Sequence, residues 1–334
     1  MATDEQLHYP RVVALVRDMP WAILPSKLAT ILDLLRFRAE GGRLTAEEIE
    51  TRIGAARGDA QPSSGAVAVI PVFGTIVQRA DLFTEMSGGA STDRLSAAFR
   101  QAVNDPQVGS IVLQIDSPGG GVYGVAELAD QIFQARGEKR IVAVADSLAA
   151  SAAYWIASSA DEIVVTPSGE VGSIGVFTAH QDLSTALEAE GVKVTLISAG
   201  KYKVEGNPFE PLGEEARAAI QARVDDYYSM FVRAVARGRG VKPAAVREGF
   251  GQGRTVGAEE AVRLGMADRV GTMAQTIERL AGRRGARGAR AEDDPPAFCA
   301  CGVDHSAELA AAESAVSAAQ DLDFRRRRAR LHSR

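Results

Sequence analysis

Ser151 is a candidate for covalent chemistry in this sequence, and it lies in the segment DSLAASAAYWIAS, residues 146–158. The small and apolar residues around it predict a helix, and Ser151 would lie near the start of that helix. Free backbone N–H groups and the helix dipole at such a position stabilise a developing negative charge. A nucleophilic serine and a closely packed helix of small residues are both consistent with this segment.

A serine hydroxyl becomes a nucleophile when a neighbouring base, most often a histidine, takes its proton. His180 lies on a predicted strand-to-helix turn, which favours a structural role. The remaining histidines lie toward the two termini: His8, His305 and His332. A lysine serves as the base instead when burial keeps it neutral. The loop AGKYKVEGNP (199–208) supplies Lys201 and Lys203, and either one is a candidate.

A glycine-rich turn, DSPGGG (116–121), follows the predicted strand SIVLQID. Because glycine has no side chain, its backbone N–H can approach a reacting group closely. If the N–H groups of Gly119 and Gly120 face an open cleft, they form an oxyanion hole that stabilises a tetrahedral intermediate. A tight turn without a catalytic role would explain the same glycines.

Strands and helices alternate from residue 66 onward, which predicts an α/β domain with a largely parallel sheet. The predicted strands are AVAVIPVFGTI (66–76), SIVLQID (110–116), RIVAVAD (140–146), EIVVT (162–166), GSIGVF (172–177) and KVTLIS (193–198). The predicted helices span residues 123–136, 148–160, 181–190 and 214–237. The last helix has one apolar face, which we expect to be buried, with Ile220, Val224, Tyr227, Phe231 and Val235.

Composition divides the chain into four parts. Residues 1–56 form an N-terminal segment that is predicted to be helical from residue 11, and residues 57–65 (RGDAQPSSG) form a linker. Residues 66–281 hold the α/β domain. Residues 282–334 form a low-complexity basic tail that is predicted to be disordered.

The net charge of −5 argues against a general nucleic-acid binder or a membrane-surface protein. The N-terminus has no secretory signal, and the apolar segment WAILPSKLATILDLL is too short and too interrupted to span a bilayer. Cys299 and Cys301 are the only cysteines, so no disulfide framework is expected. These features predict a cytoplasmic protein without membrane contact.

Two segments of the tail are weak candidates for binding. CACGVDH (299–305) contains two cysteines and one histidine, and without a fourth ligand it is a poor zinc site. No metal and no cofactor are therefore expected. The arginine run RRRRAR offers the one candidate contact for nucleic acid or an acidic capsid surface, and a solvated run of charge is equally consistent with it.

Four segments occur in an order that resembles the signal peptide peptidase A (protease IV) family of Ser-Lys serine peptidases: IVLQIDSPGGGV, AASAAYWIASSADEIVVTP, VGSIGV and SAGKYKVEGNPF. The resemblance covers about residues 66–280 and is greatest to the branch of tailed-phage head maturation proteases, which process capsid assembly proteins. It implies a Clp-protease/crotonase-like fold, a superhelix of ββα units, preceded here by the N-terminal helices.

The resemblance also implies roles for single side chains. Ser151 matches the nucleophile of the family and Lys203 matches its general base, whereas Lys201 falls on a non-catalytic position. Ser173 of VGSIG matches the serine that forms a hydrogen bond with the lysine. The resemblance thus distinguishes between the two lysines, which the residues alone do not.

The oxyanion hole of the family matches the backbone N–H groups of Gly120 and Ala152. Ala152 and Ala153 stand where the family commonly has glycine at one or both positions. The backbone N–H survives this change, so the oxyanion donor is retained. Methyl groups at these positions would narrow the cleft, so we expect an altered substrate range.

These expectations describe a serine endopeptidase that cleaves polypeptides, including capsid or scaffold proteins, in a bacterial host cytoplasm or inside a phage prohead. Family members form rings, so a homo-oligomer is expected. The alternatives are a soluble bacterial protease of the signal-peptide-peptidase type and a non-enzymatic capsid assembly protein on the same fold. Acyl-CoA chemistry of the crotonase type is disfavoured, because no paired glutamates lie on the glycine turns.

Overall fold

The computed structural model describes residues 19–39, 67–79 and 89–288. The predicted linker, both cysteines and the arginine run lie outside these ranges. So do three of the four histidines: His8, His305 and His332.

Eleven strands in the described ranges form two sheets. The larger sheet contains β2 (Val67–Phe73), β5 (Ser110–Ser117), β7 (Arg140–Ala150), β8 (Glu162–Val165), β9 (Glu170–Gly172), β10 (Thr255–Gly257) and β11 (Arg269–Val270). The smaller sheet contains β1 (Trp21–Ile23), β3 (Ile76–Val77), β4 (Ala90–Ser91) and β6 (Gly119–Gly121).

The helices lie between these strands along the chain. They are α1 (Pro25–Ala39), α2 (Thr92–Asn104), α3 (Val125–Gln134), α4 (Ala152–Ala157), α5 (Ser184–Ala189), α6 (Glu214–Arg239), α7 (Pro243–Gly249), α8 (Ala258–Arg263) and α9 (Met273–Gly288). No helix within residues 19–39, 67–79 and 89–288 is long and apolar enough to cross a membrane.

Strands β2, β5 and β7 are parallel neighbours, with Val67 opposite Ser110 and Ser110 opposite Arg140. The long strand β7 changes partner along its length. Residues 142–145 pair with β8, and residues 148–150 pair with β9. This divergence directs the carboxyl end of β7 away from β8 and toward the turn that contains Ser151.

The hydrophobic core lies between the larger sheet and helices α3, α4 and α6. Strand β7 is buried continuously from residue 141 to residue 145, as expected for a parallel strand that is covered on both faces. Helix α6 contributes only its C-terminal half, where Phe231 and Val235 are fully buried. Ile220 and Val224 are only half-buried, so the apolar face predicted for this helix is buried over part of its length.

The predicted α/β class and the largely parallel sheet are confirmed. Strands at residues 110–116, 140–146 and 162–166 are present with small shifts at their ends, as are helices at residues 123–136 and 214–237. The helix predicted at 148–160 begins only at Ala152, because β7 continues through Ala150.

Two predicted elements are wrong. KVTLIS (193–198) forms no strand, because no described strand pairs with it, and Ile197 is 96% exposed. The strand predicted at 172–177 is also wrong, because the observed strand β9 (Glu170–Gly172) ends at the first residue of that range. In the N-terminal segment, α1 is helical as predicted, whereas Trp21–Ile23 is a strand of the smaller sheet.

Candidate active site

Ser151 lies on a sharp turn that joins β7 to α4. Its backbone angles are φ 56° and ψ −119°, and its N–H donates to the Gly172 carbonyl at 2.7 Å. A non-glycine residue in this conformation is strained by roughly 1–3 kcal/mol, and such strain is concentrated at functional sites. The Ser151 side chain is buried, and its Oγ lies 3.4 Å from the Gly175 carbonyl oxygen, the one acceptor it reaches within the described residues.

The glycine turn lies directly beside this serine. A Cβ added to Gly119, which has φ +95°, would come within 2.9 Å of the Ser151 Cβ. A Cβ on Gly120 would lie 1.8 Å from the Ile76 carbonyl oxygen, so only glycine fits at that position. The turn is fixed by Ser117, whose hydroxyl donates to the Gly74 carbonyl at 2.6 Å and accepts the Gly119 N–H at 3.2 Å.

The two expected oxyanion donors lie on opposite sides of Ser151. Gly120 is in β6, whereas Ala152 is the first residue of α4 and its N–H has no acceptor inside that helix. The side chains of Ala152 and Ala153 are fully buried in the hydrophobic core. Their methyl groups therefore pack toward the interior of the protein.

Ser173 occupies a second strained turn next to Ser151. Its φ is 52°, its N–H donates to the Arg254 carbonyl at 2.8 Å, and the preceding Gly172 accepts the Ser151 N–H. A Cβ on Gly172 would lie 2.8 Å from the Arg254 carbonyl oxygen, so glycine is required there as well. The Ser173 side chain is buried, and its hydroxyl has no hydrogen-bond partner among the described residues.

The lysine loop places its two ammonium groups differently. Lys201 Nζ lies 3.0 Å from Glu215 Oε1 and 2.6 Å from the Tyr202 hydroxyl. The hydrogen bond that Lys201 donates to Tyr202, followed by the one it donates to Glu215, raises the pKa of Lys201. Lys203 is exposed, and within the described residues its Nζ forms no hydrogen bond or ion pair. A single chain therefore brings Ser151, the glycine turn and Ser173 together but does not bring Lys203 into contact with Ser151.

His180 has the structural role that its position predicted. Its Nε2 lies 3.0 Å from the Asn207 carbonyl oxygen, which ties the lysine loop to the segment before α5. Nearby, the Leu183 N–H donates to the Pro208 carbonyl at 2.8 Å. His180 thus fixes the base of the loop and does not contact Ser151.

Helix α4 is held in place by the core on one side and by a charged cap at its end. Trp155 stacks on Phe231 of α6, with ring centroids 4.7 Å apart. The guanidinium of Arg136 donates to the Ser158 and Ser159 carbonyls at the C-terminal end of α4, at 3.1 and 2.8 Å. These contacts fix the helix that begins directly after Ser151.

Two contributors to this site were not predicted from the sequence. One is Ser117, which anchors the glycine turn and could have been noticed as a serine preceding Pro-Gly. The other is β1, which pairs with the glycines of β6. Its sequence signal is Pro20 and Pro25 bracketing a short apolar run, a pattern that disfavours helix before Pro25.

Known proteins are similar to the part of the chain that contains these residues. The profile of peptidase family S49 matches residues 133–287. A protein of Synechocystis sp. that is named as a candidate protease is 31% identical over 190 residues, which are 56% of this chain and 68% of that protein. The matched residues 133–287 include Ser151, Ser173, Lys201 and Lys203.

Two phage proteins are also similar. Capsid assembly protease C of Escherichia phage lambda is 34% identical over 235 residues, 68% of this chain and 53% of that protein. Head-tail preconnector protein GP5 of Enterobacteria phage P21 is 39% identical over 180 residues, 54% of this chain and 36% of that protein. The chain thus spans about half of the first phage relative and about a third of the second.

Proposed function

The chain belongs to peptidase family S49, and we propose that it is a serine endopeptidase in which Ser151 attacks the peptide carbonyl and Lys203 takes the serine proton. The observation that carries the proposal is the strained turn at Ser151, because it presents the hydroxyl beside Gly119 and Gly120. Nucleophiles are commonly presented on such sharp strand-to-helix turns.

The proposed reaction uses only groups of the chain itself. Ser151 Oγ bonds to the carbonyl carbon while its proton passes to Lys203 Nζ. The negative charge on the carbonyl oxygen is stabilised by the N–H groups of Gly120 and Ala152. Lys203 then donates the proton to the departing amine, and a water molecule hydrolyses the ester on Ser151 to release the acid.

A second copy of the chain would complete the site. A lysine acts as a base only when it is desolvated, and Lys203 is exposed in the single chain. From residue 175 to residue 215 no side chain is buried. Exposed apolar side chains occur throughout this segment: Val192, Val194, Leu196, Ile197, Tyr202 and Phe209. An apolar surface of this kind is typical of a protein interface, so we propose that a homo-oligomer buries the lysine loop.

The proposed substrates are polypeptides, and capsid or scaffold proteins of a phage are the class that the relatives suggest. One similar protein is named a capsid assembly protease, and another is named a head-tail preconnector. The site of action would then be the cytoplasm of a bacterial host or the inside of a phage prohead. Mass spectrometry of capsid proteins co-expressed with the chain would identify the cleaved partner.

The nucleophile is tested by Ser151→Ala, which removes the attacking hydroxyl. Hydrolysis of labelled casein should fall about a thousandfold or more, and reaction with a fluorophosphonate probe should stop. Ser158→Ala is the matched control, because its hydroxyl lies at the other end of α4 and donates to the Trp155 carbonyl at 2.8 Å. It should retain both activities.

Unchanged turnover in Ser151→Ala would remove this serine from the mechanism. A wild-type protein that neither cleaves casein nor reacts with the probe would favour the non-enzymatic assembly role.

A further inference from the structure

Strand β1 is held on both of its edges, next to Ser151. On one edge Trp21 and Phe177 exchange two backbone bonds, with N···O distances of 2.8 and 3.0 Å. Phe177 lies two residues after Gly175, whose carbonyl oxygen is the acceptor that Ser151 Oγ reaches. This edge therefore belongs to the wall of the candidate active site.

The opposite edge of β1 is bonded to the glycine turn. The Leu24 N–H donates to the Pro118 carbonyl at 3.0 Å, and the Val122 N–H donates to the Pro20 carbonyl at 3.3 Å. The pairing is antiparallel. An extended peptide that binds between two strand edges forms main-chain bonds of this kind.

The register of this pairing places the Ala22 carbonyl at the Gly120 N–H, which is an expected oxyanion donor. Ala22 is opposite Gly120, two residues from each of the bonds just described. In an antiparallel ladder this is the position at which two residues exchange both backbone bonds, so the Gly120 N–H faces the Ala22 carbonyl. A Cβ on Gly119 would lie 2.2 Å from the Ala22 carbonyl oxygen and 2.9 Å from the Ser151 Cβ. The Ala22–Ile23 peptide unit thus lies on the side of Gly119 that Ser151 occupies.

Side chains of β1 alternate between two environments. Ala22 is fully buried in the main hydrophobic core. Trp21 and Ile23 are buried in a separate cluster, with Leu28 of α1 and with Phe177. Because Ala22 is the one residue of β1 in the main core, β1 and the start of α1 can leave together while the rest of that core stays packed.

We propose that residues Pro20–Leu24 occupy the peptide-substrate cleft and must leave it before a polypeptide can bind. The cleft then takes an extended polypeptide segment with a small residue at the position of Ala22 and large apolar residues on either side of it. This inference rests on the proposed peptidase function and adds to it an intramolecular competitor and a substrate class.

The test compares Ala22→Arg with Ala29→Arg. Arginine has no room at the buried Ala22, so β1 should leave the cleft, whereas Ala29 is exposed on α1 and serves as the matched control. If β1 occupies the cleft in about nine of ten molecules, its displacement lowers the KM for casein about tenfold. The kcat should not change, because a saturating substrate already displaces the strand. Ala29→Arg should have the wild-type KM.

Equal KM values for Ala22→Arg and wild type, with both cleaving casein, would overturn the inference and leave the proposed function intact. If neither protein cleaves casein or reacts with the fluorophosphonate, the function and the inference fall together.

A second measurement uses the wild-type chain and does not depend on the folding of a variant. Acetyl-Pro-Trp-alaninal copies residues 20–22 and carries an aldehyde that Ser151 can trap. Its binding should accelerate hydrogen exchange at the Trp21 and Leu24 amides about tenfold, because both amides are bonded only while β1 is in the cleft. Unchanged protection of these amides with the aldehyde bound would show that the ligand and β1 occupy different places.

Discussion

Backbone strain at single residues marks the candidate site. Ser147, Ser151 and Ser173 have positive φ without being glycine, and all three lie at the carboxyl end of β7 or on the turn after β9. Each such conformation costs about 1–3 kcal/mol and persists only where the surroundings impose it. Here the pairing of β7 with β9 imposes it, since Ala150 is opposite Gly172. The sheet thus stabilises the conformation that holds the Ser151 side chain beside the glycine turn.

The two lysines of the loop should respond differently to substitution. Lys203→Arg should lower casein hydrolysis at least about a hundredfold, because a guanidinium stays protonated and cannot accept the Ser151 proton. Lys201→Ala is the matched control, since Lys201 Nζ is already bonded to Tyr202 and Glu215. Lys201→Ala should keep the wild-type kcat for casein, and any change should be confined to KM. Near wild-type turnover by Lys203→Arg, measured over a range of pH, would exclude the Ser-Lys dyad and return the search to another base.

Among the elements, the end of the sheet opposite Ser151 depends on one buried carboxylate. Glu162 begins β8, and its side chain is 4% exposed. It forms ion pairs with Arg140 of β7 at 2.7 Å, Arg269 of β11 at 2.7 Å and Arg279 of α9 at 2.8 Å. Burial alone would raise the pKa of Glu162, but the Arg140 hydrogen bond and the charges of Arg279 and Arg269 outweigh it, so the pKa is lowered.

Glu162→Gln should destabilise the protein by about 1–3 kcal/mol, because three partly exposed arginines lose the charge of their shared partner. A carboxyl whose pKa is lowered on folding adds stability above its unfolded pKa, and that stability is lost as pH falls through the folded pKa. Urea midpoints between neutral and acidic pH should therefore fall less steeply in Glu162→Gln than in wild type. Glu260→Gln removes an exposed carboxylate that pairs with Arg263, and it should leave the midpoint unchanged. Parallel wild-type and Glu162→Gln curves would contradict this role.

The elements also show which parts of the structure can be predicted from sequence. Strands β5 and β7 could be predicted because each is a run of buried β-branched and apolar residues that ends at a turn. Strand β1 could not, because three residues become a strand only by pairing with Gly119–Gly121, about a hundred positions along the chain. The positions of Ser151 and the glycine turn followed from local pattern. The separation of Lys203 from Ser151 could not be predicted from local pattern, because the exposure of a loop depends on what packs against it.

At the scale of the whole molecule, the apolar residues of the segment 192–197 are left exposed by the rest of the described chain, residues 19–39, 67–79 and 89–288. Val192, Val194 and Leu196 are each at least 39% exposed, and Ile197 is 96% exposed. The alternation that predicted a strand here is explained if a second copy covers the segment. The same contact would desolvate the lysine loop, so assembly and activity should depend on each other.

Ile197→Asp tests this dependence, because a carboxylate at the centre of an apolar contact stays uncompensated when it is buried. The variant should sediment as a smaller species than wild type, and its specific activity should rise with protein concentration as assembly is restored. Val270→Asp is the matched control, since Val270 is also exposed but lies on β11, outside residues 175–215. It should keep the wild-type assembly and activity. A fully active Ile197→Asp monomer would show that Lys203 reaches Ser151 within one chain, and the lysine loop would then have to move toward the strained turn after binding substrate.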